Sequence, residues 1–399
     1  MSFKDMFFKK IIVSSFCILL FLSFSQLAFG YSVGGVPGWN YRRPITISPQ
    51  TPVANFQVKV ELSTCNFDYS QAQSNGQDIR FASDSSGNNV LDYWIENWNT
   101  SGTSTIWVEA ASAGTTEIFM FYGNAGASNA SNGAATFIYF ADFESGLQSW
   151  TIGGTVWERD TEANLVCDDS LGTCNNGADN YHPCQEPCAA HSGTYLVGTN
   201  VGGVYPDSMA ASTNTFTSSA IDLSTASGSL MLHYWRAYQI EGAGYDWWDS
   251  QIDDNSGFSS PTYVEKIGKS GGYLYPTVYD WSEATTDVTS YAGGSLYLRF
   301  RVKSDGGWHF TGLYVDDVFI RKYASPQPTA ELSIDFQYQR QIVIDSTKVE
   351  ADLTGFPVLI YLASDSDLAS KAQDDGDDIM FSDSAGNKLS HEIEYFNGT

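Results

Sequence analysis

The sequence predicts an all-β protein built from tandem antiparallel β-sandwiches. Three observations carry that expectation. FQVKVEL (Phe56 to Leu62) and LYLRFRVK (Leu296 to Lys303) alternate apolar and polar residues strictly, as half-buried antiparallel strands must. SLMLHYWRA (Ser229 to Ala237) has the longer apolar run of a more deeply buried strand. Beyond the first thirty residues no 3.6-residue periodicity is sustained, and 36 glycines punctuate the chain.

From the N-terminus, residues 1–30 read as a secretory signal. Lys4, Lys9 and Lys10 precede an apolar run from Ile11 to Phe24, and Ala28-Phe29-Gly30 supplies the small residues of a cleavage site. The apolar run falls short of the ~20 residues a membrane span needs. The mature protein is therefore expected to be secreted or displayed at the cell surface, without membrane insertion after cleavage. The formal charge is -26, and the signal holds three Lys against one Asp, so the remainder lies near -28. Such acidity makes nucleic acid a poor partner and suits calcium and sugars.

An internal repeat organises the rest. YRRPITI (Tyr41 to Ile47), FQVKVEL, AQSNGQDIRFASD (Ala72 to Asp84) and YWIENWN (Tyr93 to Asn99) return in the same order as YQRQIVI (Tyr338 to Ile344), FPVLIYL (Phe356 to Leu362), AQDDGDDIMFSD (Ala372 to Asp383) and HEIEYFN (His391 to Asn397). In the third pair eight of twelve aligned positions are identical, with one gap. Four blocks in register mark a duplicated module. The first copy continues through STIWVEAAS and EIFMFYGN, which the second lacks, so the sequence is expected to be part of a longer multi-module protein.

These blocks resemble a bacterial and archaeal surface module, domain of unknown function 2341. W-x-YRRPITI, NGQDIRF, the I-E of YWIENWN, IWVEA and FMFYGN carry the likeness. The resemblance implies a complete copy over 31–137 and a truncated one over 332–399, each a concanavalin A-like or jelly-roll sandwich, and it implies no activity. Residues 138–324, from FADFESGLQSW to LYVDDVFI, resemble the MAM-like jelly roll that accompanies immune-inhibitor-type peptidases as an accessory domain. SPQPTAE (Ser325 to Glu331) reads as a proline-rich linker.

Candidate sites follow from residue type. Cys167, Cys174, Cys184 and Cys188 are spaced C-x6-C-x9-C-x3-C. That is not the paired-knuckle spacing of structural zinc, and an exported context favours two disulfides, with three pairings open. Cys65 is left over as a thiol. In a sandwich whose first and last strands lie side by side, Asp142 and Glu144 would meet Asp316 or Asp317, and paired acids on a buried strand need a cation or donors; calcium is the expected structural cofactor. Arg43 and Arg340, Asp78 and Asp378, and Glu96 and Glu394 recur in the two copies, as an ion pair fixing strand register or as a polar ligand site. Trp247, Trp248, Trp308 and His309 stand near strand edges or loops, where rings stack on sugars; if the two adjacent Trp lie on a strand, only one is exposed.

No enzyme signature is complete. HEIEY lacks the second His of a zincin, and neither a G-x-S-x-G elbow nor a phosphate loop is present. The sequence therefore points to a non-catalytic binding or adhesion role towards carbohydrate or a surface polymer. A spacer role, or an accessory role beside a hydrolase encoded elsewhere, is the alternative.

Overall fold

The computed structural model describes residues 30–64, 66–166, 185–269, 276–332, 340, 342, 357–362, 364–372, 379–382, 388–389 and 391–395. The expected signal peptide up to residue 29, Cys65, Cys167, Cys174, Cys184 and Asp378 lie outside them. The chain forms two compact units, one of Gly30–Thr64 with Asp68–Ser333, the other of Met1–Phe29, Cys65–Phe67 and Ile334–Thr399. Among the described residues only the four-residue helix α1 (Gly133–Thr136) and the later α2 (Ser366–Lys371) are α-helical, and the all-β expectation holds. No helix among them is long and apolar enough to cross a membrane, which says nothing of a β-barrel.

The first module contributes β1 (Tyr31–Val33), β2 (Val36–Trp39), β3 (Tyr41–Ser48), β4 (Phe56–Leu62), β5 (Arg80–Ala82), β6 (Val90–Leu91), β7 (Tyr93–Asn97), β8 (Ser104–Ala110) and β9 (Glu117–Tyr122). In β4 the alternation acts as expected: Val58, Val60 and Leu62 are buried, while Lys59 and Glu61 face outward and pair at 2.7 Å. β1 and β2 form a separate hairpin. The main sheet curls until β5 faces β7, with the Phe81 and Tyr93 rings 5.3 Å apart.

The middle segment is a sandwich of two six-stranded sheets. One holds β10 (Tyr139–Ala141), β12 (Trp157–Thr161), β13 (Tyr195–Thr199), β16 (Leu230–Gln239), β19 (Thr277–Asp287) and β21 (Gly312–Lys322). The other holds β11 (Thr151–Gly153), β14 (Thr215–Thr217), β15 (Ile221–Asp222), β17 (Trp247–Asp253), β18 (Thr262–Ile267) and β20 (Ser295–Lys303). The first and last strands lie side by side, β10 pairing with β21 at Ala141 and Val318. β20 buries Leu296, Leu298, Phe300 and Val302 in strict alternation, and β16 and β21 are covered on both faces.

One expectation fails. Ser325 to Glu331 is not a linker throughout, because β22 (Thr329–Leu332) enters the first module's sheet between β3 and β4. It runs antiparallel to β3, with Leu332 opposite Ile45, and parallel to β4, with Ala330 opposite Val60. The prolines stop before the strand begins, so Thr329 onward keeps its ladder donors. The eight-stranded order is β6-β5-β9-β3-β22-β4-β8-β7, and the jelly roll is an insertion between two parts of one sheet.

In the second unit, β23 (Phe381–Ser382) pairs with β24 (Lys388–Leu389). Asp365 caps α2 through the Leu368 N–H at 3.0 Å and pairs with Arg340. Residues 357–362, the counterpart of β4, form no strand and expose Leu359 and Tyr361. In the first copy β8 and β22 flank this block, and no such neighbours are found for it among the described residues.

Candidate functional site

The two lobes of the larger unit meet through aromatic faces. Trp94 on β7 lies opposite Trp107 on β8, and both face outward from the module. They pack with Phe137, which caps the C-terminus of α1, and with Phe140 and Phe319 of the jelly roll in one cluster. Phe137 stacks on Phe319 at 4.4 Å, and His233 stacks on the same ring at 4.6 Å. The Arg321 Nε donates to His233 Nε2 at 2.9 Å, so the ring proton sits on Nδ1, 2.5 Å from Glu283 Oε1. Burial holds this imidazole below its ordinary value, against the opposing pull of Glu283.

Glu96, two residues along β7 from Trp94, lies at this junction and is 6% exposed. Its Oε2 accepts from Trp107 Nε1 at 2.9 Å and its Oε1 from Trp235 Nε1 at 2.8 Å. Burial pushes its carboxyl up to about 7. Two open clefts flank it and share Glu96, Asn97 and His191 as lining. The larger, about 590 Å³, adds Trp94, Trp98, Asn129, Glu144 and Gln148; the smaller, about 370 Å³, adds Lys59, Trp235, Trp281 and Glu283. His191 stacks on Trp235 with centroids 3.8 Å apart, and Trp281 donates to the Ala189 carbonyl at 2.8 Å.

The acids expected to bind calcium surround the same segment. β21 carries one extra residue against β16, since His233 pairs with Phe319 and Trp235 with Asp316. Asp317 takes a φ of 45° at this bulge. Adjacent strand residues normally face opposite sides, yet here both Asp316 and Asp317 are fully buried and reach one turn. Asp316 Oδ2 accepts from the His191 N–H at 2.9 Å; Asp317 Oδ2 lies 2.6 Å from His191 Nδ1, and its Oδ1 accepts from Ser192 Oγ at 2.8 Å. Burial first, and then the neighbouring aspartate, pushes Asp316 well above the usual carboxylate range; burial also raises Asp317. Glu144 Oε1 accepts the Thr194 and Tyr195 N–H groups, and Asp142 Oδ1 those of Glu144 and Gln148 Nε2. Gly193 is required beside it: its φ is +62°, and a Cβ would stand 2.4 Å from the Glu144 carboxyl carbon. Donors thus meet these four acids, and they are not among the described carboxylates that gather to ligand distance.

In the first copy the recurring Asp78 and Glu96 are held by different donors. Asp78 is buried and accepts from the backbone N–H groups of Gln73, Gly123 and Asn124, clamping two loops, while Glu96 serves the indoles. Arg43 lies on β3 opposite Met120. Glu394 is described in the second unit and Asp378 is not.

The aromatic set divides. Trp248 is wholly buried in the jelly-roll core, which overturns its expected ligand role: its side chain takes the inward face of β17 and Trp247 the outward one. Trp247 is half-buried beneath Lys269 Nζ, 4.0 Å from its ring centroid, and Asp249 holds that lysine at 2.8 Å and Arg301 at 2.7 Å. Trp308 packs half-buried against the core with a φ of 49°, and His309 Nε2 meets Asp207 Oδ1 at 2.6 Å. Cys188 is disulfide-bonded to a partner outside the described residues. The sequence reading missed Trp235, Trp281 and His191 as a set, since they come together only by strand pairing and a loop.

A family model described as domain of unknown function (DUF2341) matches residues 75–158, from β5 into β12. No curated protein sequence matches the chain. Among solved structures, the K2 adhesin domain of Lys-gingipain aligns at 19% identity and a TM-score of 0.27, covering 46% of this chain and 99% of that one. The K3 adhesin domain from Porphyromonas gingivalis aligns at 17% and 0.25, covering 47% and 98%. The C-terminal family 22 carbohydrate-binding module of Clostridium thermocellum Xyn10B aligns at 15% and 0.27, covering 48% and 97%. At such TM-scores these likenesses carry no functional weight.

Proposed function

We propose that the protein is an exported, non-catalytic binding element whose ligand is a carbohydrate or another hydroxyl-rich surface polymer. The supporting observation is the pair of open clefts around Glu96, where half-buried indoles of Trp98, Trp235 and Trp281 stand beside Asn97, Asn129 and Gln148. Flat rings stack on sugar faces, and amides and carboxylates bond hydroxyls. Each Glu96 oxygen accepts one indole N–H, so this high-pKa carboxyl orients a wall of each cleft.

Binding to an array of polysaccharides and surface glycans tests this reading, with Trp281→Ala for comparison. Retained affinity for one polymer, weakened about fivefold or more by the substitution, is the expected result. An array without binding, or a variant that binds as well as the parent, rejects it. A spacer role is the second reading, favoured by the aromatic cluster that packs module and insert together.

A further inference from the structure

A different group of acids lies at one loop end of the jelly roll. Glu241 follows β16, Asp246 precedes β17 and Asp305 follows β20, so the three come from both sheets. One carboxylate oxygen of each lies within 4.8 Å of the others, and no other such group of three occurs among the described residues. Asp246 is fully buried, its Oδ2 accepting from the Tyr205 hydroxyl at 2.6 Å and its Oδ1 from the Asp305 N–H at 2.7 Å. Glu241 is 9% exposed, and its Oε2 is buried without a hydrogen-bond partner.

That orphaned oxygen is the independent sign of a missing partner. An unsatisfied buried carboxylate beside two others is costly unless a cation joins them. Lys303 is the nearby cation, but its ammonium donates to the Tyr245 carbonyl and makes no ion pair with any of the three. The donor set is all oxygen, with no thiol or imidazole, which selects a hard cation over zinc. Three carboxylates on separate loops suit the larger and more permissive coordination sphere of calcium better than the strict octahedron of magnesium.

We propose that Glu241, Asp246 and Asp305 hold a calcium ion that ties the two sheets of the jelly roll together at this end. The proposal is independent of the clefts around Glu96 and of the acids at Asp142, Glu144, Asp316 and Asp317. Burial and mutual repulsion, which push Glu241 up to about 7 and Asp246 up to about 6, are relieved when a divalent cation enters.

Calcium chloride titrated into the metal-stripped full chain, followed by calorimetry and thermal melting, is the test. The parent is expected to bind and to melt several degrees higher at about a hundredfold excess over Kd. Glu241→Gln and Asp305→Asn should each weaken binding about tenfold or more, while Glu144→Gln retains it. Asp305 is a half-buried loop residue, so its variant carries the test if Glu241→Gln does not fold. A parent showing neither heat nor a melting shift at millimolar calcium overturns the proposal. So does unchanged affinity in Asp305→Asn, or loss of binding in Glu144→Gln alone.

Discussion

Glu96 of the first module accepts a 2.8 Å hydrogen bond from the indole of Trp235 in the jelly roll, 139 residues further along the chain. Its second oxygen takes the Trp107 indole, so one carboxylate joins a wall of each lobe. In Glu96→Gln the amide keeps one acceptor oxygen and turns an N–H group towards the other indole. A loss of about 1–3 kcal/mol is expected in urea unfolding, for one buried donor left unmet.

The same residue gives a pH signature. Its carboxyl rises from 4.5 to about 7 on folding, so the folded chain binds this proton more tightly than the unfolded one. The associated stability is complete below pH 4.5 and is lost as pH climbs towards 7. The melting temperature of the parent should therefore fall relative to that of Glu96→Gln, which has no titrating group there, as pH rises through that window. A constant difference between them across it would show that Glu96 does not titrate there.

Trp248 is a stability residue. Trp248→Ala should cost about 3–5 kcal/mol through the cavity it leaves in the jelly-roll core. Polymer affinity of the protein that remains folded should be unchanged, which affinity electrophoresis below the melting temperature would check.

β22 should matter to the first module although it follows the jelly roll in sequence. Leu332 is 4% exposed opposite Ile45, and Leu332→Ala should cost about 2–5 kcal/mol. A chain ending at residue 324 should lower the melting temperature of the module further, because β3 and β4 lose the strand between them. Equal melting of chains ending at 324 and at 332 would contradict this.

Strand identity was legible because alternation is a local property: the burial of β20 follows LYLRFRVK residue by residue. Adjacency of the first and last strands was legible as well, and it brought Asp142, Asp316 and Asp317 to one region. The bulge was not, since a single extra residue on β21 leaves no mark in the hydrophobic pattern. β22 was hidden for a related reason: TAEL is too short for periodicity to show, and the prolines before it dominated the reading. Glu241, Asp246 and Asp305 escaped because the third stands 59 residues after the second. Nothing local in EGAGYDWW or SDGGW links them before the sheets are stacked.

The return of β22 also sets a path for force. Tension applied between residue 30 and residue 332 runs through the hydrogen-bond ladder joining β3 to β22, where Ile45 faces Leu332 and Ser48 faces Thr329. Everything from β10 to β21 hangs outside that load path as a closed loop. Stretching the chain between these points would peel β22 from its neighbours before any load reached the jelly roll, which keeps the shape of its cleft wall and its loop-end acids while the ladder holds.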